Sequence, residues 1–178
     1  MKKPIIATFV VALAVAPASA ALKVGAAAPD FTAPATLGGK EFVFSLADAL
    51  KSGPVVLYFY PAAFTTNCTI EAHEFADAMP QFAALGATVI GVSHDDIGTL
   101  DRFSTTACKS KFPVAADADQ HIMKEYDAVL LKSPEYANRT SYVITPDAHV
   151  LATYTDSDPT RHVDLMMDAI KGWKAGQK

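Results

Sequence analysis

The chain has 178 residues, 51% of them hydrophobic and 19% charged, which is enough apolar material for one sizeable core and too much for a disordered polymer. Fifteen basic against 19 acidic residues give a formal charge of -4 with no long basic run, which excludes a nucleic-acid binder held by phosphate contacts. Two cysteines are too few for a disulfide-built scaffold or a four-cysteine zinc site, so cysteine chemistry lies in one pair or in a single thiol.

The N-terminal segment has the pattern of a secretory signal peptide: Lys2 and Lys3, an apolar stretch from Ile5 to Val15, then Ala18-Ser19-Ala20 as a small-x-small cleavage site. The apolar stretch is shorter than the roughly 20 residues a membrane-spanning helix needs. Residues 1–20 are therefore expected to be removed after Ala20, leaving one domain over residues 21–178. Loss of two lysines leaves 13 basic residues against 19 acidic ones, a net -6. The expected mature protein is periplasmic or secreted, without membrane attachment, in a compartment where disulfides persist.

No repeat or linker interrupts the chain after Leu22, and strand and helix patterns alternate, which predicts an α/β layer fold. Gly38-Gly39, between short extended pieces of Thr36 to Val43, predicts a hairpin. Ser45 is placed to cap a short helix through Leu50. Val55 to Tyr60, bounded by Gly53-Pro54 and Pro61, is a continuous apolar run of the kind buried on both sheet faces, and is expected to be the central strand. Phe75, Met79, Phe82 and Leu85 follow at helical spacing up to Gly86, with a kink or break expected at Met79 because Pro80 lacks a backbone donor. A second buried strand is predicted over Thr88 to Ser93, then a helix with Leu100, Phe103 and Ala107 on one face, a short strand over Val114 to Ala116 and a helical turn over Ile122 to Tyr126. Ser141 to Thr145 and Val150 to Tyr154 predict a strand pair about Pro146-Asp147, and a last helix is expected to carry Val163, Met166, Met167, Ile170 and Trp173 inward.

The chemically loaded stretch runs from Tyr60 to Glu71, where the strand gives way to a helix. Cys68 falls in the first turn of that helix, beyond the carboxyl end of a sheet strand, where ligand sites of open α/β sheets lie. Thr66 or Asn67 is placed as N-cap, which leaves unpaired N–H groups and the positive helix end beside the sulfur. Making a thiol predominantly anionic at neutral pH, a drop of about two pKa units, takes roughly 2.7 kcal/mol. A helix terminus supplies only about 0.3–1 kcal/mol. The rest asks for a cation, and Arg139, just before the strand Ser141 to Thr145, is the arginine best placed to reach that sheet end.

These residues resemble the peroxiredoxins: Pro61-x-x-x-Thr65-x-x-Cys68 is their active-site pattern, and Asn138-Arg139-Thr140-Ser141-Tyr142-Val143-Ile144 is similar to their arginine-bearing strand. The peroxiredoxin Q, or bacterioferritin-comigratory-protein, branch is the most similar, through Ala28-Pro29-Asp30-Phe31, Leu85-Gly86-Ala87, and Lys111-Phe112-Pro113-Val114 with Asp117. The resemblance implies a thioredoxin-like fold, a central mixed sheet flanked by helices, and reduction of hydroperoxides by Cys68 without a cofactor or metal. It implies that Thr65 and the Cys68 N–H bind the peroxide, that Pro61 shields the sulfur, and that Arg139 holds the thiolate and the developing charge. Glu71, three residues after Cys68, is placed to orient Arg139.

The family's frequent second cysteine five residues on is His73 here. The other thiol is Cys108, 40 positions after Cys68, near the end of the Leu100 to Ala107 helix, which resembles the peroxiredoxin Q subclass and implies an intramolecular Cys68–Cys108 disulfide. Lys109 and Lys111 beside it either favour its thiolate or form a solvated helix end. By the same resemblance the reductant is thioredoxin or a thioredoxin-like protein, and a monomer suffices because one chain carries both thiols. The competing reading is a non-enzymatic exported binding domain stapled by a structural Cys68–Cys108 disulfide, worth about 4 kcal/mol on chain entropy. A disulfide reductase or isomerase is disfavoured, because Thr65-Thr66-Asn67-Cys68 is not C-x-x-C. The five histidines show no metal-ligand spacing, and His94-Asp95-Asp96 is read as a solvated loop.

Overall fold

A computed structural model describes residues 21–177, so the expected signal peptide lies outside the described residues. Seven strands form one mixed sheet: β1 (Thr32–Leu37), β2 (Lys40–Ser45), β3 (Val55–Phe59), β4 (Thr88–Ser93), β5 (Val114–Ala116), β6 (Thr140–Ile144) and β7 (Val150–Thr155), in the spatial order β2-β1-β5-β4-β3-β6-β7. β3 is an interior strand one place from the middle, parallel to β4 and antiparallel to β6. Its run is apolar throughout because both faces are covered. Val56 and Tyr58 enter one core with α2 (Thr66–Ala84), α3 (Ile97–Thr106) and α5 (His162–Ala175), whereas Val55, Leu57 and Phe59 enter another with α1 (Leu46–Leu50) and α4 (His121–Glu125).

Local signals account for most element ends. Gly38 and Gly39, at φ of 59° and 75°, make the two-residue turn of the β1–β2 hairpin. The Ser45 side chain accepts the Asp48 N–H and caps α1, as expected. At α4 the residue before the helix, Gln120, gives no side-chain cap, and the buried Asp117 carboxylate takes over by accepting the N–H groups of Ile122 and Met123 at 3.0 and 2.8 Å.

Two expectations need correction. The break allowed for at Met79 does not occur: α2 runs 19 residues, Pro80 included. The proline removes the donor that would reach the Ala76 carbonyl, yet Phe75, Ala76, Ala78 and Phe82 on both sides of it are buried in the core and hold the helix together. Trp173 is only partly buried, beside Thr145, Pro146 and Asp147 of the β6–β7 turn, whereas Val163, Met166, Met167 and Ile170 are buried and carry the packing. No helix among the described residues is long and apolar enough to cross a membrane.

Candidate active site

Register, not proximity in sequence, assembles the site. The end of β3 leads through Tyr60–Thr65 into α2, and in the antiparallel β3–β6 pair Phe59 lies opposite Thr140. Arg139, one residue before Thr140, therefore arrives at the sheet end where Cys68 opens α2. Its Nη2 donates to Cys68 Sγ at 3.3 Å, its Nη1 donates to Glu71 Oε2, and its Nε donates to the Ser157 carbonyl at 3.3 Å. Cys68, Glu71 and Arg139 are 1%, 0% and 4% exposed, so the guanidinium is buried with its fork engaged on three sides. Burial opposes the arginine's charge, but Glu71 and Cys68 outweigh it and hold its pKa above the ordinary value. Burial pushes the Glu71 carboxyl up to about 8, against the pull of Arg139 and with a further push from Glu74.

Helix α2 places its cap differently from the expectation. Thr65, at φ -70° and ψ 153°, is the N-cap, while Thr66 and Asn67 are already helical. The Thr65 hydroxyl donates to the Ala62 carbonyl at 3.2 Å rather than capping, and its lone pairs stay available to a ligand's hydroxyl. The first bond of the helical ladder runs from the Thr69 N–H to the Thr65 carbonyl, so the N–H groups of Thr66, Asn67 and Cys68 precede it. Phe64 turns the chain into the helix at φ 64°, a left-handed conformation for a large side chain, with its ring edge-on to Phe103 at 5.3 Å.

The His94-Asp95 pair is not a solvated loop. Asp95 Oδ2 accepts the Ala63 N–H and the Ser93 hydroxyl, each at 2.7 Å. His94 Nδ1 meets the Pro61 carbonyl at 3.1 Å, as donor in that tautomer, and its ring sits edge-on to Tyr136. Together they fasten the Pro61–Ala63 turn to the end of β4. Asp95→Ala strips the Ala63 N–H of its partner and is expected to cost about 1–3 kcal/mol in urea unfolding while loosening the cysteine loop.

A cavity of about 400 Å³ opens over this constellation, walled among others by Pro61, Thr65, Asn67, Leu130, Asn138 and Arg139. Cys68 is not part of the wall; its buried sulfur is reached through Arg139, which is. Asn67 Nδ2 and Arg139 Nε both donate to the Ser157 carbonyl, a contact no local sequence signal announces.

Behind Glu71 lies His162, fully buried, with Nδ1 2.8 Å from the Ser141 hydroxyl and Nε2 3.2 Å from the Asp156 carbonyl. Burial lowers its pKa from 6.5 to about 4. Because the unfolded chain takes up this proton more readily, the stability His162 contributes is complete above pH 6.5 and lost as pH falls toward 4, by at most about 3 kcal/mol. Urea unfolding at both ends of that window should show a shallower acid loss in His162→Gln than in the unsubstituted protein.

Cys108 is fully buried just past α3, in the same apolar cluster as Cys68, and both cysteines are free thiols. Burial pushes the Cys108 thiol far up. Lys109 does not favour its thiolate: it pairs with Asp77 on α2 at 2.7 Å. Lys109 and Ser110 follow with φ of 51° and 54°, two successive left-handed residues at the mouth of this segment. No cluster of three or more potential metal ligands occurs among the described residues.

Residues 24–153 match the AhpC/TSA family. The chain is 33% identical to the YkuU protein of Bacillus subtilis (strain 168) over 174 residues, 87% of this chain and 96% of that one. It is also 33% identical to chloroplastic peroxiredoxin Q of Oryza sativa subsp. japonica over 140 residues, 78% of this chain and 62% of that one. Among solved structures it resembles peroxidoxin BcpB of Mycobacterium tuberculosis, with a TM-score of 0.77 and 29% identity over 85% of this chain and 97% of the other.

Proposed function

From the chain's membership of the AhpC/TSA family, which makes it a peroxiredoxin of thioredoxin-like fold and a thiol-dependent peroxidase, we propose that Cys68 is the peroxidatic cysteine and Cys108 the resolving one. The observation that carries this reading is the single guanidinium of Arg139 donating to both Cys68 Sγ and Glu71. A charge-assisted bond to sulfur at a helix N-terminus favours the anionic nucleophile, and the same guanidinium is placed to bind the oxygen on which charge develops.

In the first step the Cys68 thiolate attacks one oxygen of a hydroperoxide, forming an S–O bond as the O–O bond breaks. Hydroxide or alkoxide leaves and takes a proton to become water or alcohol. Thr65 and the Cys68 N–H bind the peroxide, and Pro61 keeps water from the sulfur. The Cys108 thiol then displaces hydroxyl from the sulfenic acid, giving a Cys68–Cys108 disulfide and water. A thioredoxin-like dithiol returns the two electrons. Because both thiols are buried and a disulfide needs Cα atoms within about 7 Å, resolution proceeds through local opening of the first turn of α2 and of the Cys108 segment. The strained Lys109-Ser110 pair is a natural place for that opening to begin. The substrates in this reading are hydrogen peroxide and small organic hydroperoxides. The enzyme is an exported monomer.

The test is stopped-flow reaction of the reduced protein with hydrogen peroxide, followed by mass mapping, on the unsubstituted protein and on Cys108→Ser. Rapid oxidation ending in a Cys68–Cys108 disulfide, with Cys108→Ser halted at sulfenic or over-oxidised Cys68, is the expected result. Reaction at the pace of an ordinary thiol, with a disulfide that resists mild reductant, would instead leave a stapled binding domain.

A further inference from the structure

Two buried acids share one buried cation. Cys68 Sγ and Glu71 Oε2 both take hydrogen bonds from Arg139. The other titratable groups around Glu71 are Glu74 on its own helix, Tyr58 on β3 and His162 at the start of α5. None of these is a cation while His162 is neutral, and a single positive charge balances a single anion.

Burial keeps His162 neutral, and its partners then fix which ring nitrogen carries the proton. A carbonyl only accepts, so Nε2 carries the proton toward Asp156, and Nδ1 is left bare to accept from the Ser141 hydroxyl. Around the ring stand Tyr154, edge-on at 4.8 Å, with Asp156 and Asp158 beyond β7 and Arg139 on the β6 side. Nδ1 lies 3.6 Å from Glu71 Oε1, a fully buried oxygen without a hydrogen-bond partner. A carboxylate oxygen facing a bare ring nitrogen in a dry interior is repulsive on both sides, and one proton between them removes the conflict. The Ser141 hydroxyl is free to turn as that proton comes and goes.

We propose that Glu71 and His162 hold one proton between Oε1 and Nδ1, and that it answers to the charge on Cys68: held while Cys68 is a thiolate and released when the thiolate is consumed. This rests on the peroxidase reading above and makes His162 a positioning residue that acts through Glu71 and Arg139. Ionisation of Cys68 then moves a proton inside the cluster, from sulfur to the carboxylate. When the thiolate becomes a sulfenic acid, the departing alkoxide or hydroxide takes a proton from water and Glu71 returns its own to water. Thiolate, guanidinium and neutral carboxyl before the reaction, and sulfenic acid, guanidinium and carboxylate after it, each sum to zero. Burial of Glu71 pushes its carboxyl in the direction this exchange requires.

The experiment is an infrared difference spectrum, reduced minus oxidised, of Cys108→Ser treated with a single equivalent of hydrogen peroxide, with mass spectrometry to verify that Cys68 is the sulfenic acid. It is recorded at a pH where ultraviolet absorbance reports the Cys68 thiolate, with stopped-flow peroxide kinetics on the same sample. The expected result is a protonated-carboxyl stretch that disappears on oxidation, is missing in Glu71→Gln and shifts in His162→Gln. Cys68→Ser, subtracted directly from reduced Cys108→Ser without peroxide, gives a check independent of the Glu71 substitution, since without a thiolate the stretch is expected to be absent. A stretch unchanged by oxidation, or none in a sample that reacts rapidly, overturns the shared proton and leaves the peroxidase intact. A stretch unmoved by His162→Gln removes His162 from the pair. Peroxide reaction no faster than that of an ordinary thiol fails the peroxidase reading itself.

Discussion

Arg139→Met is expected to slow the reaction of Cys68 with hydrogen peroxide by about 10²–10³-fold, the range seen when one preorganised charge stabiliser is removed from a dry site. The loss has two sources, because the guanidinium favours the reactive sulfur and also serves the transition state. Arg139→Lys is expected to recover only part of it: an ammonium restores the charge but cannot span Cys68 Sγ, Glu71 Oε2 and the Ser157 carbonyl with one planar fork. Cys68→Ser removes the nucleophile and with it all rapid peroxide consumption. Stability follows a different order. Removing one partner of a buried pair costs about 3–5 kcal/mol when the other stays charged. Glu71, already pushed up to about 8, escapes most of that cost at neutral pH by taking a proton. The methionine variant is therefore expected to be folded at pH 7. The unfolded chain ionises this glutamate near 4.5 in either protein, so both lose stability from there to pH 8; above pH 8 the unsubstituted protein levels off as Glu71 ionises beside Arg139, whereas the methionine variant is expected to go on losing stability. Peroxide rates by stopped flow and urea unfolding at pH 7 and 9 separate the two effects; an equal rate in the methionine variant removes Arg139 from the chemistry.

What the sequence disclosed and what it withheld follow from the range of the interactions. Val55 to Phe59 reads as a strand because burial on two faces leaves no polar position in it, and Ser45 reads as a cap because its partner, Asp48, is three residues away. Pro61, Thr65 and Cys68 fall within one stretch of eight residues and form a spacing. Arg139 is legible because it precedes a strand whose pairing brings its start to the end of β3. His94, Asp95, Ser157 and His162 were out of reach. Each acts on a loop or helix supplied by a distant stretch of chain, and nothing near His162 in sequence indicates that it faces Glu71, 91 positions earlier. Pro80 shows the opposite failure, a strong local signal overruled by packing, since the apolar residues around it are held by the core whatever the backbone loses at one carbonyl.

The same packing makes Gly91→Ala a large expected loss of stability within the sheet. A Cβ at Gly91 on β4 would stand 2.7 Å from Tyr58 Cζ and 2.8 Å from its hydroxyl oxygen, closer than real contacts allow. Tyr58 has nowhere to retreat. It is fully buried, stacked on Phe75 of α2 at 4.4 Å, tilted against Tyr60 at 5.5 Å and edge-on to Phe112 at 6.0 Å. The added methyl must push the ring toward α2, whose first turn carries Cys68, so the cost is expected at the upper end of about 1–3 kcal/mol for overpacking, with a lower peroxide rate alongside. Tyr58→Phe supplies the discriminating partner. The tyrosine hydroxyl is buried without a hydrogen-bond partner, so its removal alone is expected to be neutral or mildly stabilising, and in combination it should return part of what Gly91→Ala loses. Urea unfolding of the two single variants and the double closes the cycle. Additive losses would mean that the ring and the new methyl do not meet, and that Gly91 is required by the strand itself rather than by the tyrosine that crosses it.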